Sequence, residues 1–309
     1  MMTDRRAWLK ARNRGIGGSD AAVVMNLNPW KSAFSLWAEK TGKVTPDDLS
    51  DNEAVEWGNL LEEPIARKFA EVTKRIVMSQ HSAVWPFVME DGIVRHPDKP
   101  FMIGTPDRLF KTPGSPYGVL EIKTTGTHRA LDWAEEPPVH YQIQLQHYLA
   151  VTGLSYGAFA VLIGGQKFHW RDVERNDRFI SLLIEKEEKF WDCVQRDVPP
   201  PVDASKSTAE ALARLYAAPD ESVEVEPVML SLEFADMADR RRELIAAIKA
   251  YEVEKRGIEN EIKAALGNSV FGYLPDGSGF SWKMQHREPY IVPESSYRVL
   301  REIQPKKGT

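Results

Sequence analysis

Two acidic residues and a lysine are spaced in this chain so that they can meet. Pro106-Asp107 is followed, after thirteen intervening residues, by Glu121-Ile122-Lys123. Val119–Lys123 reads as a strand, and alternation sends Val119, Glu121 and Lys123 to one face and Leu120 and Ile122 to the other. Asp107 lies at the end of the strand-like run Phe101–Thr105, so two carboxylates from adjacent strands and a lysine can converge on one point. Carboxylate oxygens are hard ligands suited to Mg²⁺, which keeps several waters of its own. An ion held there would lower the pKa of a bound water and neutralise charge building on a phosphorus centre. An ammonium beside it could orient that water or stabilise the transition state. This is phosphodiester-hydrolysis chemistry. Glu-x-Lys alone also arises by chance in a chain of this size, and an ordinary same-face ion pair accounts for the triplet taken by itself.

Two further groups bear on the choice. In the helix expected at 138–152, Tyr141, Gln144, Gln146, His147 and Tyr148 are more polar and aromatic than a plain core helix requires. Gln144 and His147, three residues apart, share a face that could hydrogen-bond a phosphate or the attacking water. Glu62, four residues after Gly58, is either a third metal ligand or a solvent-exposed neighbour of Glu63. The net charge of −5 argues against a nucleic-acid partner, but its distribution is uneven. Residues 1–14 carry Arg5, Arg6, Lys10, Arg12 and Arg14 against Asp4 alone, whereas residues 47–63 carry seven acids and no base. That pairing suits a site holding both phosphate and metal; two solvated faces explain it equally.

The elements that must position these groups follow from periodicity and punctuation. A short amphipathic helix at 4–12 precedes the glycine-rich turn Gly15–Asp20, whose Ser19 or Asp20 can cap a helix at about Ala21–Leu27. Helices are expected at about 33–41 and 54–74, the latter with Trp57, Leu60, Leu61, Ile65, Phe69 and Val72 near helical period. Strand-like runs at 75–90, 93–96, 101–110 and 118–123 are separated by Gly and Pro turns. Then come the 138–152 helix, strands at 156–163 and 167–174, and an amphipathic helix at 177–196. This order means α/β with a mixed central sheet flanked by helices. Pro199-Pro200-Pro201 is the clearest linker, which divides the chain into 1–201 and 202–309. Beyond it, Ser207 and Glu210 have the spacing of a capping box. A charged helix at 231–266 stops at Gly267-Asn268, and a hairpin at 270–284 completes a helical-plus-hairpin appendage. Leu244, Ile248, Tyr251, Ile258 and Ile262 follow heptad spacing, with Lys255 in the seam and Gly257 beside it. Such a seam packs on its own domain, a neighbouring subunit or a partner.

Composition excludes several classes. The sequence has no unbroken apolar run long enough to span a bilayer and no n-region/h-region leader at its start, so a cytoplasmic location is expected. One cysteine, Cys193, allows no internal disulfide. The histidines lack zinc-binding spacing, and Gly15–Gly18 lacks the Lys-Ser/Thr of a nucleotide loop.

Over residues 5–195 the sequence resembles the phage lambda exonuclease group, in particular its YqaJ-type viral recombinase branch, within the PD-(D/E)xK nuclease superfamily. The resemblance rests on Trp8-x3-Arg12, Ile16-Gly17-Gly18-Ser19-Asp20, Asn28-Pro29-Trp30, Trp57-Gly58-x3-Glu62, Thr105-Pro106-Asp107, Glu121-Ile122-Lys123 and Gln144-Leu145-Gln146-His147-Tyr148. It implies a restriction-endonuclease-like fold and a Mg²⁺-dependent deoxyribonuclease, with Mn²⁺ able to substitute. Asp107, Glu121 and the carbonyl of Ile122 would ligate metal, with Glu62 at a second ion. Lys123 would act on the nucleophilic water and Gln144 would hold it, while Arg12, Ser19 and Thr105 would grip the 5′-phosphate. It implies 5′→3′ digestion of linear duplex DNA in a bacterial host cell, from a phage or prophage. A single-strand annealing protein is the implied partner and a ring-shaped trimer the implied assembly. Two alternatives stay open: a structure-selective or phage-type endonuclease using the same groups, and a non-catalytic DNA-binding component of a recombination complex.

Overall fold

The structure, a computed structural model, describes residues 10–48, 51–87, 89, 92–217, 227–289, 291, 294 and 298–303. It falls into two compact units, Met1–Ala217 and Ala218–Thr309. The first is built on a five-stranded sheet. In spatial order this comprises β1 (Ile76–Met78), β4 (Arg108–Lys111), β5 (Tyr117–Thr125), β6 (Tyr156–Ile163) and β7 (Lys167–Glu174). Only β5 and β6 run parallel, with Glu121 opposite Phe159 and Lys123 opposite Val161; the other pairs are antiparallel. A parallel pair cannot be closed by a hairpin, and α4 (Val139–Thr152) makes the crossover. The mixed α/β class expected from the sequence is therefore the observed one.

Alternation along β5 decides what each face of the sheet meets. Val119, with Phe159 and Val161 of β6, packs under Leu145, Tyr148 and Leu149 of α4. Leu120, Ile122, Ala158 and Ala160 face the other way, onto Ile65, Ala66 and Phe69 of α3 (Glu53–Thr73). Burial in α3 is confined to Ile65, Ala66 and Phe69. Trp57, Leu60 and Val72, near the same period, are exposed, because the contact with the sheet covers only the middle of the helix.

The segment before α1 (Gly18–Val24) is sewn to the short antiparallel pair β2 (Val94–Arg95) and β3 (Ile103–Gly104). Ile16 donates to the Phe101 carbonyl at 2.7 Å and accepts from Ile103 at 2.9 Å. A Cβ at Gly15 would come within 2.6 Å of the Phe101 oxygen, so the approach requires glycine. Helix α1 starts three residues before the expected Ala21, because Asp20 caps it from inside: its Oδ2 accepts the Gly17 N–H at 3.0 Å. The same carboxylate lies 2.8 Å from Lys40 at the end of α2 (Ala33–Lys40), and both side chains are almost fully buried.

The boundary between units lies sixteen residues beyond the expected one at Pro201. Helix α6 (Lys206–Leu215) is part of the first unit: Thr208 donates to Ser32 Oγ at 2.8 Å, and Ala211 is buried with Phe34 and Trp37. A proline run stiffens a chain, but burial of the following helix determines where a unit ends. The capping box also shifts. Ser205 is the cap, accepting from Thr208 N at 3.1 Å, whereas Ser207 turns away to accept from Ser32 N. Helix α5 (Asp177–Gln195) packs against α4 and α2. Of the helix expected at 4–12, residues 4–9 lie outside the described residues.

The second unit carries α7 (Leu232–Leu266) and the hairpin β8 (Phe271–Tyr273) with β9 (Gly279–Ser281). Gly267, at φ +52°, ends α7, as expected for a C-cap. Glu302 reaches Arg242 at 2.9 Å. No helix among the described residues is long and apolar enough to cross a membrane.

The Asp20–Lys40 pair gives a stability prediction. Burial opposes ionisation of Asp20, but Lys40 and Arg12 outweigh it and hold its pKa below the usual range. Asp20→Asn strands the buried Lys40 ammonium and should cost about 3–5 kcal/mol at neutral pH. A group with a lowered folded pKa contributes stability above its unfolded value, about 3.9 for aspartate, and loses it as pH falls further. Urea unfolding of both proteins should therefore show a gap that narrows in acid. A gap constant with pH would assign the loss to packing.

Candidate active site

The carboxylates and lysine marked by the sequence meet on the α4 side of the sheet. Asp107 sits in the turn just before β4, and its Oδ2 accepts the Ile122 N–H of β5 at 2.7 Å. Glu121 is only 1% exposed. Its Oε1 accepts from Lys123 Nζ at 2.6 Å and from Gln144 Nε2 at 2.5 Å, while Oε2 is buried with no hydrogen-bond partner among the described residues. Lys123 also donates to Gln144 Oε1 at 3.3 Å and lies 4.7 Å from the centre of the Tyr141 ring. Gln144 thus donates to Glu121 and accepts from Lys123, a double role that an amide can fill and a second charge could not.

The electrostatics are those of carboxylates crowded around too little positive charge. Burial, and next the negative charge of Asp107, push Glu121 up to about 8. Burial also raises Asp107, against the pull of Lys123. Burial would lower Lys123, but Glu121 and Asp107 more than reverse it, so the ammonium stays charged. Tyr148 is raised by burial and by the same two acids, and stays protonated.

Glu62 comes close enough to feel this cluster: burial and then Asp107 raise its pKa. Its Oε1 is nevertheless taken by Arg108 Nη1, which also donates to the Asp107 carbonyl at 2.6 Å. Arg108 was not among the residues singled out in the sequence. The signal was its position directly after Asp107, which on a strand points it to the opposite face, where α3 lies. Among the described residues no three His, Cys, Asp or Glu side chains gather into a ready metal cage.

The three residues expected at a phosphate lie around the first turn of α1. Arg12 donates to Ser19 Oγ, and Arg12, Gly17, Gly18, Thr105 and Tyr148 line one recess of about 10 Å³. The ring of Tyr148 packs close to two of its glycines. A Cβ at Gly18 would lie 2.5 Å from that ring and one at Gly104 3.1 Å from it.

His147 departs from expectation. It does not share a phosphate-facing surface with Gln144, because it is fully buried between α4, α5 and β3. Its Nδ1 is 2.8 Å from Glu187 Oε1 and its Nε2 is 2.9 Å from the Ile103 carbonyl. A carbonyl can only accept, so Nε2 carries a proton. Gln146 likewise bonds backbone groups of Glu174 and Asn176. The polar excess on α4 is divided: Gln144 serves the acidic cluster, and Gln146 and His147 tie the helix to its neighbours.

With this geometry in view, comparison with known proteins is specific. Residues 7–155 match the YqaJ-like viral recombinase domain. YqaJ of Bacillus subtilis (strain 168) is 34% identical over 274 residues, spanning 87% of this chain and 81% of that protein. The chain belongs to the YqaJ-like viral recombinase family. Among solved structures, an alkaline exonuclease from Laribacter hongkongensis is similar at 21% identity and TM-score 0.48, over 62% of this chain and 94% of that one. A phage-related exonuclease from Haemophilus somnus 129PT is similar at 13% identity and TM-score 0.41, over 59% and 96% respectively.

The contact between Gly18 and Tyr148 can be tested directly. Alanine favours a helix over glycine by about 1 kcal/mol at most, whereas an extra carbon in a packed site costs about 1–3 kcal/mol. Gly18→Ala should therefore be net destabilising in urea unfolding and should alter the near-ultraviolet circular dichroism of Tyr148. A more stable variant would mean that the ring moves aside freely.

Proposed function

We propose that this chain is a divalent-metal-dependent deoxyribonuclease that digests linear duplex DNA from 5′ ends in phage-type recombination, alongside a single-strand annealing protein. The observation that carries the reading is the meeting of Asp107, Glu121, Lys123 and Gln144, with one oxygen of a fully buried carboxylate left without a partner. Two buried acids, both with raised pKa and one raised further by the other, beside a single ammonium favour a further cation. The donors are hard oxygens, and Mg²⁺ needs only one or two protein carboxylates because it retains water. Asp107, Glu121 and the Ile122 carbonyl would hold it, with Mn²⁺ able to substitute. Glu62 would join at a second ion only on release from Arg108.

The bound ion would supply a water of lowered pKa and offset charge on the phosphoryl group. Lys123, held charged between Glu121 and Gln144, donates an N–H hydrogen bond to the attacking water or a non-bridging oxygen. Gln144 fixes the lysine and offers its amide to the same water. At the recess, the Arg12 guanidinium turns from Ser19 to clasp a terminal phosphate with two parallel bonds, and the hydroxyls of Ser19 and Thr105 complete the grip.

Two experiments test this reading. Linear duplexes should be degraded with Mg²⁺ or Mn²⁺ and spared with EDTA, while closed circles in the same assay stay intact. Asp107→Ala, Glu121→Ala and Lys123→Ala should each lower hydrolysis by about a hundredfold or more, the scale of losing one transition-state charge partner. Unimpaired cleavage by Asp107→Ala would remove the assignment, and cleavage of closed circles would turn it to an endonuclease. Separately, Arg12→Ala should erase the preference for 5′-phosphorylated over 5′-hydroxyl ends. Equal losses on both substrates would make Arg12 a general backbone contact.

A further inference from the structure

We infer that α7 is a self-association element, which pairs with α7 of a second copy of this chain in antiparallel orientation. The helix is 35 residues long and none of them is buried. Long helices are held mainly by packing of an apolar face, and that of α7 is largely exposed in the described structure, with Glu302 beside it at Arg241 and Arg242. Its seam runs from Phe234 through Met237, Leu244, Ile248, Tyr251 and Ile258 to Ile262 at alternating three- and four-residue steps. That run spans about four heptads, enough for the pattern to be meaningful. Leu244, Ile248, Tyr251 and Ile258 are each about half exposed or more.

Charge decides both occupant and orientation. The two seam positions that break the apolar series are Arg241 and Lys255. In a parallel, in-register pair each would face its own copy, and Glu254 on one flank would face Glu259 of the other chain. Reversing one helix removes all of these conflicts in a single register. Ile248 then lies against Tyr251 of the second copy, and Met237 against Ile262. Arg241 meets Ile258, and Lys255 meets Leu244, so that each cation lies along an apolar neighbour. The same register sets Arg240 on the flank opposite Glu261, twice by symmetry. Glu252, Glu254 and Glu261 have no ion-pair partner among the described residues, whereas the basic cluster Arg240–Arg242 lies toward the other end of the helix. Head-to-tail pairing therefore brings the unpaired Glu261 of one helix to Arg240 of the other, a match that parallel pairing does not offer.

The test uses the full chain and light scattering. Pairing doubles whatever the first unit forms, so the native mass should be an even multiple of the 35.0 kDa chain. Leu244→Glu with Ile248→Glu should halve it, with helix content by circular dichroism unchanged, because neither residue is buried. Arg240→Glu and Glu261→Arg should each lower the paired fraction, and the two combined should restore it. The residues are about 32 Å apart along one helix, so only reversed pairing can couple them. For orientation, in a Cys193→Ser background, Leu244→Cys should cross-link to Lys255→Cys when the two chains are mixed, and neither alone. A native mass of one or three chains, a mass unmoved by the double glutamate variant, or no restoration by the charge swap would overturn the inference.

Discussion

A carboxylate buried to 1% exposure, as Glu121 is, costs several kcal/mol to desolvate unless its neighbours compensate. Here compensation is incomplete. Lys123 and Gln144 satisfy one oxygen, the other has no partner among the described residues, and Asp107 adds a second negative charge nearby. Most of the first unit can be read as what is needed to hold this arrangement together. The sheet places Asp107 beside Ile122, β5 projects Glu121 and Lys123 from one face, and α4 brings Gln144 down onto both. A structure optimised for stability alone would place apolar groups here. Instead Asp107, Glu121 and Lys123 are held together here, with one buried carboxylate oxygen unpaired among the described residues.

Helix α4 can supply Gln144 accurately because it is itself fixed on every side. Its residues from Ile143 to Val151 are all buried, which leaves no solvent to satisfy Gln146 or His147. Each is instead bonded to backbone or to Glu187. These bonds tie α4 to β3, to the end of β7 and to α5, and β3 leads directly into Thr105 and Asp107. The acidic cluster and the Arg12 recess therefore share one rigid support, of which Tyr148 is the common wall. Its ring packs against Gly18 and Gly104 on one side, and its hydroxyl accepts from Gln144 at 3.4 Å on the other.

How much was legible in the sequence differs by kind of signal. Strand alternation made the Glu121/Lys123 face readable, because the period of two is a local geometric property of any strand. Helices α2, α3 and α5 and strands β6 and β7 followed from periodicity and turn residues within a residue or so. The ordered motifs identified the family, since their residue types and spacing survive without any knowledge of contacts. Length, charge distribution and the heptad seam of α7 are likewise properties of the chain itself.

Tertiary structure decided what depends on a partner distant in sequence. His147 and Gln144 share a helix face by spacing, yet one is sealed against Glu187, forty residues on, and the other opens on the cluster. Glu62 was a candidate ligand by position, but Arg108 engages it across 46 residues. The proline run at 199–201 marked a linker, and the unit boundary still moved to Ala217, because α6 docks on Ser32, over 170 residues earlier. Trp57 and Leu60 fit a buried stripe by period and remain exposed, since a stripe is buried only where something covers it. Local spacing dictates which side a residue takes; only the packed fold dictates what it meets there.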